Sequence, residues 1–344
     1  MYRLSKIRVL IVDDSIMFRK ALENGLSSDL NIEIVGTAAD AMSAMEKIKQ
    51  LKPDVVTLDV EMPKVNGIDF LKQLMPEHPL PVVVVSSMPI NALDALQAGA
   101  VDFVRKPLVK GPFDMNNFIS DLTLKIKIAS RAKVMRPKAA APAAPVTPLL
   151  RTTTNTVISI GASTGGTEAI IQVVKDLPPS TPGVIIVQHM PPVFTNMYAQ
   201  RIDKICKMKV KEAADGDRVE RGQILVAAGD QHMRLAKDSL GYFVRCAAGP
   251  KVSGHCPSVD VMFDSVADVA GKNAIGVILT GMGADGAKGL TKMRQKGAYT
   301  IGQDKESCVV YGMPMEAYKL GGVAKQLPLD QIGNEIIRQL NSSN

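Results

Sequence analysis

Residues 136–150 read RPKAAAPAAPVTPLL, and this stretch limits the possible folds more than any other. Its Ala/Pro repetition lacks the apolar periodicity of a core element, and each proline removes a backbone donor, so it reads as an extended, semi-rigid linker. A chain of 344 residues interrupted there is expected to form two domains, each long enough to bury its own core without staples. The expected boundaries are a first domain over 1–125, a basic Ala/Pro-rich linker over 126–152, and a second domain over 153–344.

Charge supports the same division. The formal net charge is +7, and from 125 to 151 the charged residues are Lys125, Lys127, Arg131, Lys133, Arg136, Lys138 and Arg151, with no acid among them. The basic excess therefore belongs to the linker and implies no nucleic-acid partner. No aromatic residue is interleaved with these charges, and no helix-turn-helix or basic recognition helix follows them. That weighs against a nucleic-acid-binding or protein-binding module as the second domain. The four cysteines, Cys206, Cys246, Cys256 and Cys308, are scattered without a CxxC pair. This argues against a disulfide framework or a structural zinc site and fits a reducing compartment. The first apolar run meets Asp13 and Asp14 at once, and none approaches the roughly 20 residues that span a bilayer. The expectation is a cytoplasmic chain without membrane insertion, acting as a monomer.

Within the first domain, strand and helix signals alternate. Strands are expected over 7–12, 32–35, 55–58, 82–85 and 102–104, with helices over 17–26 and 41–51. The runs at 55–58 and 82–85 are wholly apolar, as in strands covered on both faces. Alternation of this kind predicts an α/β fold, and right-handed crossovers leave a doubly wound, flavodoxin-like parallel sheet as the natural choice. In the second domain, strand runs at 157–160, 184–188, 224–227 and 274–279, with helical patterns after Thr167 and over 261–269, predict a second doubly wound parallel α/β domain.

A doubly wound sheet carries its site at the C-terminal strand ends. In the first domain those ends hold Asp13 and Asp14, then Asp59, then Ser86 and Ser87, and then Lys106. Converging carboxylates repel one another, and a hard divalent cation with oxygen ligands relieves that repulsion. Mg2+ to spread charge, Lys106 to pair with phosphoryl oxygens and Asp59 to attack make a set suited to phosphoryl transfer onto aspartate. Taken alone, Asp13–Asp14 is equally well a turn or a helix N-cap. The motifs VLIVDDS, VVTLDVEMP with the following NG, VVVVSS and GAVDFVRKP, over about residues 5–125, resemble those of two-component response-regulator receiver domains. The resemblance implies that Asp59 is the phosphoacceptor. It also implies that Asp13, Asp14, Asp59 and the backbone carbonyl of Glu61 hold Mg2+, that Ser86 is the switch hydroxyl, that Lys106 pairs with the phosphate, and that the Lys106–Pro107 bond is cis.

In the second domain, ISIGASTGG (158–166) lies between a strand and a helical pattern, and residues 161–165 match GxSxG. That turn thrusts a serine hydroxyl out of an α/β sheet. A phosphate-binding loop or a plain strand–helix turn remain alternatives, although the Gly-Lys-Ser/Thr ending of a nucleotide loop and the GxGxxG pattern are absent. A nucleophilic Ser163 needs a base and an orienting acid. His189 follows the strand at 184–188, and Asp285 follows the one at 274–279, so topology favours Ser163, His189 and Asp285 together. His78, beside Pro79, reads as solvent-facing and His232 as part of a polar turn; His255 remains a second possible base. The order of an ordinary α/β-hydrolase, acid before histidine, would instead take an acid such as Asp217 or Asp230 followed by His232 or His255.

GASTGGTEA, VQHMPPVFT, VAAGDQHM, HCPSVDVMF, ILTGMGADGAKGL and QDKESCVVYGMP, over about residues 155–340, resemble in sequence and in order the catalytic domain of the CheB family of chemotaxis protein-glutamate methylesterases. The resemblance implies a Ser163–His189–Asp285 triad, with Met282 giving a backbone N–H to the oxyanion hole and no cofactor for ester hydrolysis. It implies methylated chemoreceptor helices as substrates, a chemotaxis histidine kinase as phosphodonor and deamidation of glutamine by the same chemistry. Two such units on one chain suggest regulation: phosphorylation adds charge to a bistable domain, so the unphosphorylated receiver is expected to block the Ser163 site. The sequence departs from the family pattern at Ala162, where a second serine is common, and at Cys256, where a basic residue is common. A generic small-molecule serine esterase is the remaining enzymatic alternative.

Overall fold

The structure is a computed structural model that describes residues 6–62, 65–107, 112–134 and 155–342. The Ala/Pro-rich stretch at 136–150 lies outside the described residues. The chain divides into two compact units, Met1–Ala141 and Pro142–Asn344.

The first unit contains β1 (Ile7–Val12), α1 (Ile16–Ser27), β2 (Ile32–Ala38), α2 (Ala41–Leu51), β3 (Val55–Asp59), α3 (Gly67–Glu77), β4 (Val82–Ser86), α4 (Pro89–Gln97), β5 (Asp102–Arg105) and α5 (Pro112–Ala129). Its five strands form a sheet in the order β2-β1-β3-β4-β5, with every pairing parallel. Every residue of β3 and β4 is buried, because helices cover both faces of a parallel sheet. Side-chain caps start three of the helices: Ser15, Asp40 and Asn66 accept the N–H of Phe18, Ser43 and Asp69, satisfying donors that a first helical turn leaves open. Strand β2 runs three residues beyond the apolar run that announces it. As an edge strand it is partly exposed from Glu33 to Thr37, and its pairing with β1, rather than hydrophobicity, sets its length. Helix α5 likewise continues to Ala129, four residues into the stretch read as linker. The cis peptide bond among the described residues is Cys256–Pro257. The expected cis bond before Pro107 is not found.

The second unit contains β6 (Val157–Ala162), α6 (Gly166–Val174), β7 (Val184–Gln188), α7 (Phe194–Ile205), β8 (Lys209–Glu212), β9 (Gln223–Val226), β10 (His232–Asp238), β11 (Gly241–Ala247), α8 (Val259–Val269), β12 (Ala274–Ile278), α9 (Ala287–Gln295), β13 (Tyr299–Gln303), α10 (Met313–Lys319), β14 (Lys325–Leu327) and α11 (Leu329–Ser342). Seven of its strands form one sheet in the order β14-β13-β12-β6-β7-β9-β8, again wholly parallel. The chain enters at β6, winds outward through β7, then returns to β12 and winds the other way. The switch point therefore lies at β6 and β12, where open α/β sheets bind ligands. Helix α6 packs with α7 and α11, whereas α9 packs with α8 and α10.

Strands β10 and β11 form an antiparallel hairpin outside the main sheet, and α8 packs against β10. The hairpin overturns one expectation. His232 is not in a polar turn: it opens β10 and is buried. Its Nε2 donates to the carbonyl of Pro250 (2.9 Å), and its Nδ1 accepts the N–H of Ser258 (3.2 Å). Both nitrogens are committed to backbone, so His232 is a structural residue. No helix among the described residues is long and apolar enough to cross a membrane.

Candidate functional site

In the first unit, Asp13 and Asp14 follow β1 and Asp59 ends β3, on the two strands where the winding reverses. Asp13 and Asp59 are buried. Asp13, Asp14 and Asp59 each offer a carboxylate oxygen, and the three atoms lie within 4.8 Å of one another. Lys106 Nζ lies 2.6 Å from Asp59 Oδ2 and 3.0 Å from Asp13 Oδ2. Burial works against the Lys106 charge, but the two carboxylates outweigh it and hold the ammonium above its ordinary range. Burial pushes the Asp59 carboxyl up, against the hydrogen bonds from Lys106 and the Glu61 N–H. Three converging carboxylates against one ammonium leave an excess of negative charge and all-oxygen donors. That donor set fits a hard cation such as Mg2+.

Ser86 is buried at the end of β4. Its hydroxyl hydrogen-bonds with Glu61 Oε1 (3.1 Å) and the carbonyl of Met88 (3.0 Å). The same Glu61 oxygen accepts the N–H groups of Ser87 and Met88. The Glu61 side chain thus caps the loop that carries Ser86. Sequence reasoning assigned Glu61 a role through its backbone carbonyl alone; nothing in the local pattern signals the side-chain contact, which is made across two strands.

In the second unit, Ser163 stands between the end of β6 and the first turn of α6. Gly165 closes that turn at φ +75°, a conformation L side chains rarely adopt, and a Cβ there would meet Val309 Cβ at 2.6 Å. The Ser163 N–H donates to the carbonyl of Thr280 (3.0 Å), at the end of β12, and the His189 N–H to that of Ala162 (3.2 Å). A Cβ on Gly281 would lie 2.7 Å from Ser163 Cβ, so the loop carrying Met282 runs directly against the serine. Among the described residues, no protein group accepts a hydrogen bond from the Met282 N–H.

Asp285 is buried. Its Oδ2 accepts from His189 Nε2 (2.8 Å) and the Val259 N–H (2.7 Å), and its Oδ1 from Ser258 Oγ (2.8 Å) and the Asp260 N–H (3.0 Å). Two of those donors belong to the first turn of α8, so the carboxylate sits at a helix N-terminus, which favours negative charge. Burial opposes the Asp285 charge, but the histidine, the Asp260 N–H and the Ser258 hydroxyl overcome it and hold the carboxyl below its ordinary range. Asp260, next door, goes the other way: burial pushes it up, the Gly289 N–H pulls against that, and the Asp285 charge adds to the rise.

With Nε2 bound to Asp285, the His189 ring presents Nδ1 as its other nitrogen. Nδ1 is buried without a hydrogen-bond partner. The strand ends thus bring Ser163, His189 and Asp285 together, while a Ser163–His189 hydrogen bond is not formed; such bonds often tighten only when substrate binds. Sequence reasoning missed Ser258, Val259 and Asp260. A serine before the helical pattern that opens VDVMF at 259–263 is a helix N-cap signal, but its service to Asp285 is a contact across 27 residues. His255 comes to lie face to face with His189.

Comparison with known proteins agrees with this architecture. The sequence model described as CheB methylesterase matches residues 158–336, and that of the response regulator receiver domain matches residues 9–113. The chain is 54% identical to the protein-glutamate methylesterase/protein-glutamine glutaminase 2 of Syntrophomonas wolfei, across 98% of this chain and 99% of that one. It is 47% identical to the protein-glutamate methylesterase/protein-glutamine glutaminase of Salmonella typhimurium, across 98% of each. The crystal structure of the Thermotoga maritima CheB methylesterase catalytic domain is 37% identical, with a TM-score of 0.53, and it covers 54% of this chain and 100% of its own. With its parallel receiver sheet ahead of a second sheet that gathers serine, histidine and aspartate at its switch point, the chain belongs to the CheB methylesterase family.

Proposed function

We propose that this chain hydrolyses glutamyl methyl esters on chemoreceptor helices, releasing methanol and leaving glutamate, and that it deamidates glutamine side chains by the same steps. Phosphorylation of Asp59 by a chemotaxis histidine kinase relieves inhibition of the Ser163 site by the receiver domain. The domains are a receiver over 1–125, a linker over 126–152 and a catalytic domain over 153–344. The enzyme works in the cytoplasm as a monomer.

The observation that carries this reading is the Asp285 carboxylate, ionised by four donors and bound to His189 Nε2 beside the Ser163 turn. A proton held between Nε2 and the carboxylate leaves the imidazole lone pair on Nδ1. His189 Nδ1 therefore takes the Ser163 proton as Oγ attacks the ester carbonyl. The oxyanion is met by the Met282 N–H and N–H groups of the Ser163 turn. The imidazolium returns its proton to the leaving methoxide, methanol departs, and water drawn through the same base hydrolyses the acyl-enzyme. Asp285 fixes the tautomer and balances the imidazolium without itself taking a proton. Hydrolysis needs no cofactor.

In the receiver, Asp13, Asp14, Asp59 and the Glu61 carbonyl would hold Mg2+, which neutralises charge on the incoming phosphoryl group. Asp59 attacks phosphorus, Lys106 pairs with a phosphoryl oxygen, and Ser86 turns its hydroxyl from Glu61 to the phosphoryl group.

Methanol release from methylated receptors, with and without a small phosphodonor and Mg2+, tests the whole scheme. Ser163→Ala removes turnover, and Asp59→Asn removes the response to phosphodonor. A chain lacking residues 1–140 exceeds the unphosphorylated full-length chain. Retained esterase activity in Ser163→Ala would sink the assignment, and equal turnover of a simple nitrophenyl ester and receptor would favour the generic esterase.

A further inference from the structure

The His189 imidazole has a second neighbour besides Asp285. The ring of His255 lies against its face, with centroids 3.7 Å apart and 11° between the planes. The sequence builds this contact from a tight turn. Val252 and His255 exchange two backbone hydrogen bonds of 2.9 Å, and the two residues between them, Ser253 and Gly254, adopt φ +51° and +85°. A two-residue turn with both φ values positive is the tightest hairpin geometry, so the half-buried His255 sits on a short, fixed support. Three residues later Ser258 caps α8, and Ser258, Val259 and Asp260 hold Asp285. Residues 252–260 thus constrain His189 twice, at its edge through Asp285 and on its face through His255.

We infer that His255 is a positioning residue for the ester hydrolysis. Its ring pins the plane of His189, so that Nδ1 stays available to Ser163 while Nε2 stays on Asp285. Its π face also adjoins the ring that becomes cationic when the Ser163 proton is taken, an arrangement that favours the imidazolium. The inference rests on the Ser163–His189–Asp285 reading.

The test uses the full-length protein with acetyl phosphate and Mg2+, and measures kcat and KM for methanol release from methylated receptor. An aromatic pair is worth enough that its loss in His255→Ala lowers kcat about tenfold, with KM within about twofold of the parent by the same reasoning. His255→Phe restores most of the lost kcat, because it keeps the flat ring and discards both nitrogens. Melting temperatures of the two variants, compared with the parent, separate a folding defect from a catalytic one. A His255→Phe protein no better than His255→Ala overturns the inference, since a nitrogen rather than a face would then be at work. So does a defect confined to KM, which would make His255 a substrate contact, and so does a His255→Ala protein with parental kcat. His189→Ala in the same assay checks the underlying triad: retained turnover there overturns the triad itself, whatever the His255 variants do.

Discussion

Replacing Asp285 by asparagine separates charge from shape at the centre of the catalytic unit. The two carboxylate oxygens receive two donors each, Ser258 Oγ and the Asp260 N–H on Oδ1, and His189 Nε2 and the Val259 N–H on Oδ2. An amide has one oxygen to offer. If it takes the Oδ1 place, its NH2 group faces the Val259 N–H and forces His189 to accept at Nε2, which moves the ring proton to Nδ1 and destroys the base. If it takes the Oδ2 place, the tautomer survives, but the NH2 group opposes the Asp260 N–H, while Ser258 can rotate to accept. Either way at least one buried N–H loses its acceptor, a cost of about 1–3 kcal/mol. For a unit of this size that lowers the melting temperature by roughly 2–12 °C. The wrong-tautomer outcome lowers kcat by about 10⁴-fold, as a carboxylate-to-amide change does in a serine triad.

The pH dependence provides a second readout. The folded Asp285 carboxyl lies below its ordinary value of 3.8. Its contribution to stability is therefore present in full above that value and is lost as pH falls through the lower, folded one. Urea midpoints of the parent should fall across that acidic window, and Asp285→Asn should lack this component of the fall. An Asp285→Asn enzyme keeping more than about a tenth of the parental kcat, where the wrong tautomer gives about a 10⁴-fold loss, would place the amide oxygen on His189; the same retention in Asp285→Ala, which offers no acceptor, would refute the orienting role. An unchanged urea midpoint would refute the four-donor description.

Three further outcomes follow from the same structure. Val193 carries a β-branched side chain at φ +73°, ψ −43° and is 56% exposed, so Val193→Gly relieves strain at little packing loss and stabilises by about 1 kcal/mol after the glycine entropy cost; a lower melting temperature would contradict this. Gly165→Ala adds a Cβ 2.6 Å from Val309 Cβ at φ +75°, costs at least about 1–3 kcal/mol and displaces Ser163, so melting temperature and methanol release should fall together. Burial pushes the thiols of Cys206 and Cys246 up to about 12 and about 11, and raises those of Cys256 and Cys308 as well; a colorimetric thiol reagent at pH 8 should react slowly with the native chain and promptly with all four cysteines in urea, and fast native labelling would overturn that reading.

The sequence by itself determined the two α/β units and the strand ends on which the candidate site residues stand. Short, wholly apolar, β-branched runs such as 82–85 fit strands covered on both faces, and once strands alternate with helices the C-terminal edge is fixed by topology, which is how Asp59 and Lys106, or Ser163, His189 and Asp285, could be set on a common edge from letters alone. Tertiary structure decided what surrounds them. His232 looked like a turn residue because its neighbours are polar; it is buried because β10 pairs with β11 and α8 closes over the pair. Ser258, Val259 and Asp260 reach Asp285, and His255 reaches His189, only because α8 packs against β6 and its N-terminus lands beside the β12 end. Local patterning sets the period and the burial of an element. Hydrogen bonds and ring contacts between residues tens of positions apart depend on how elements pack, which local patterning does not encode.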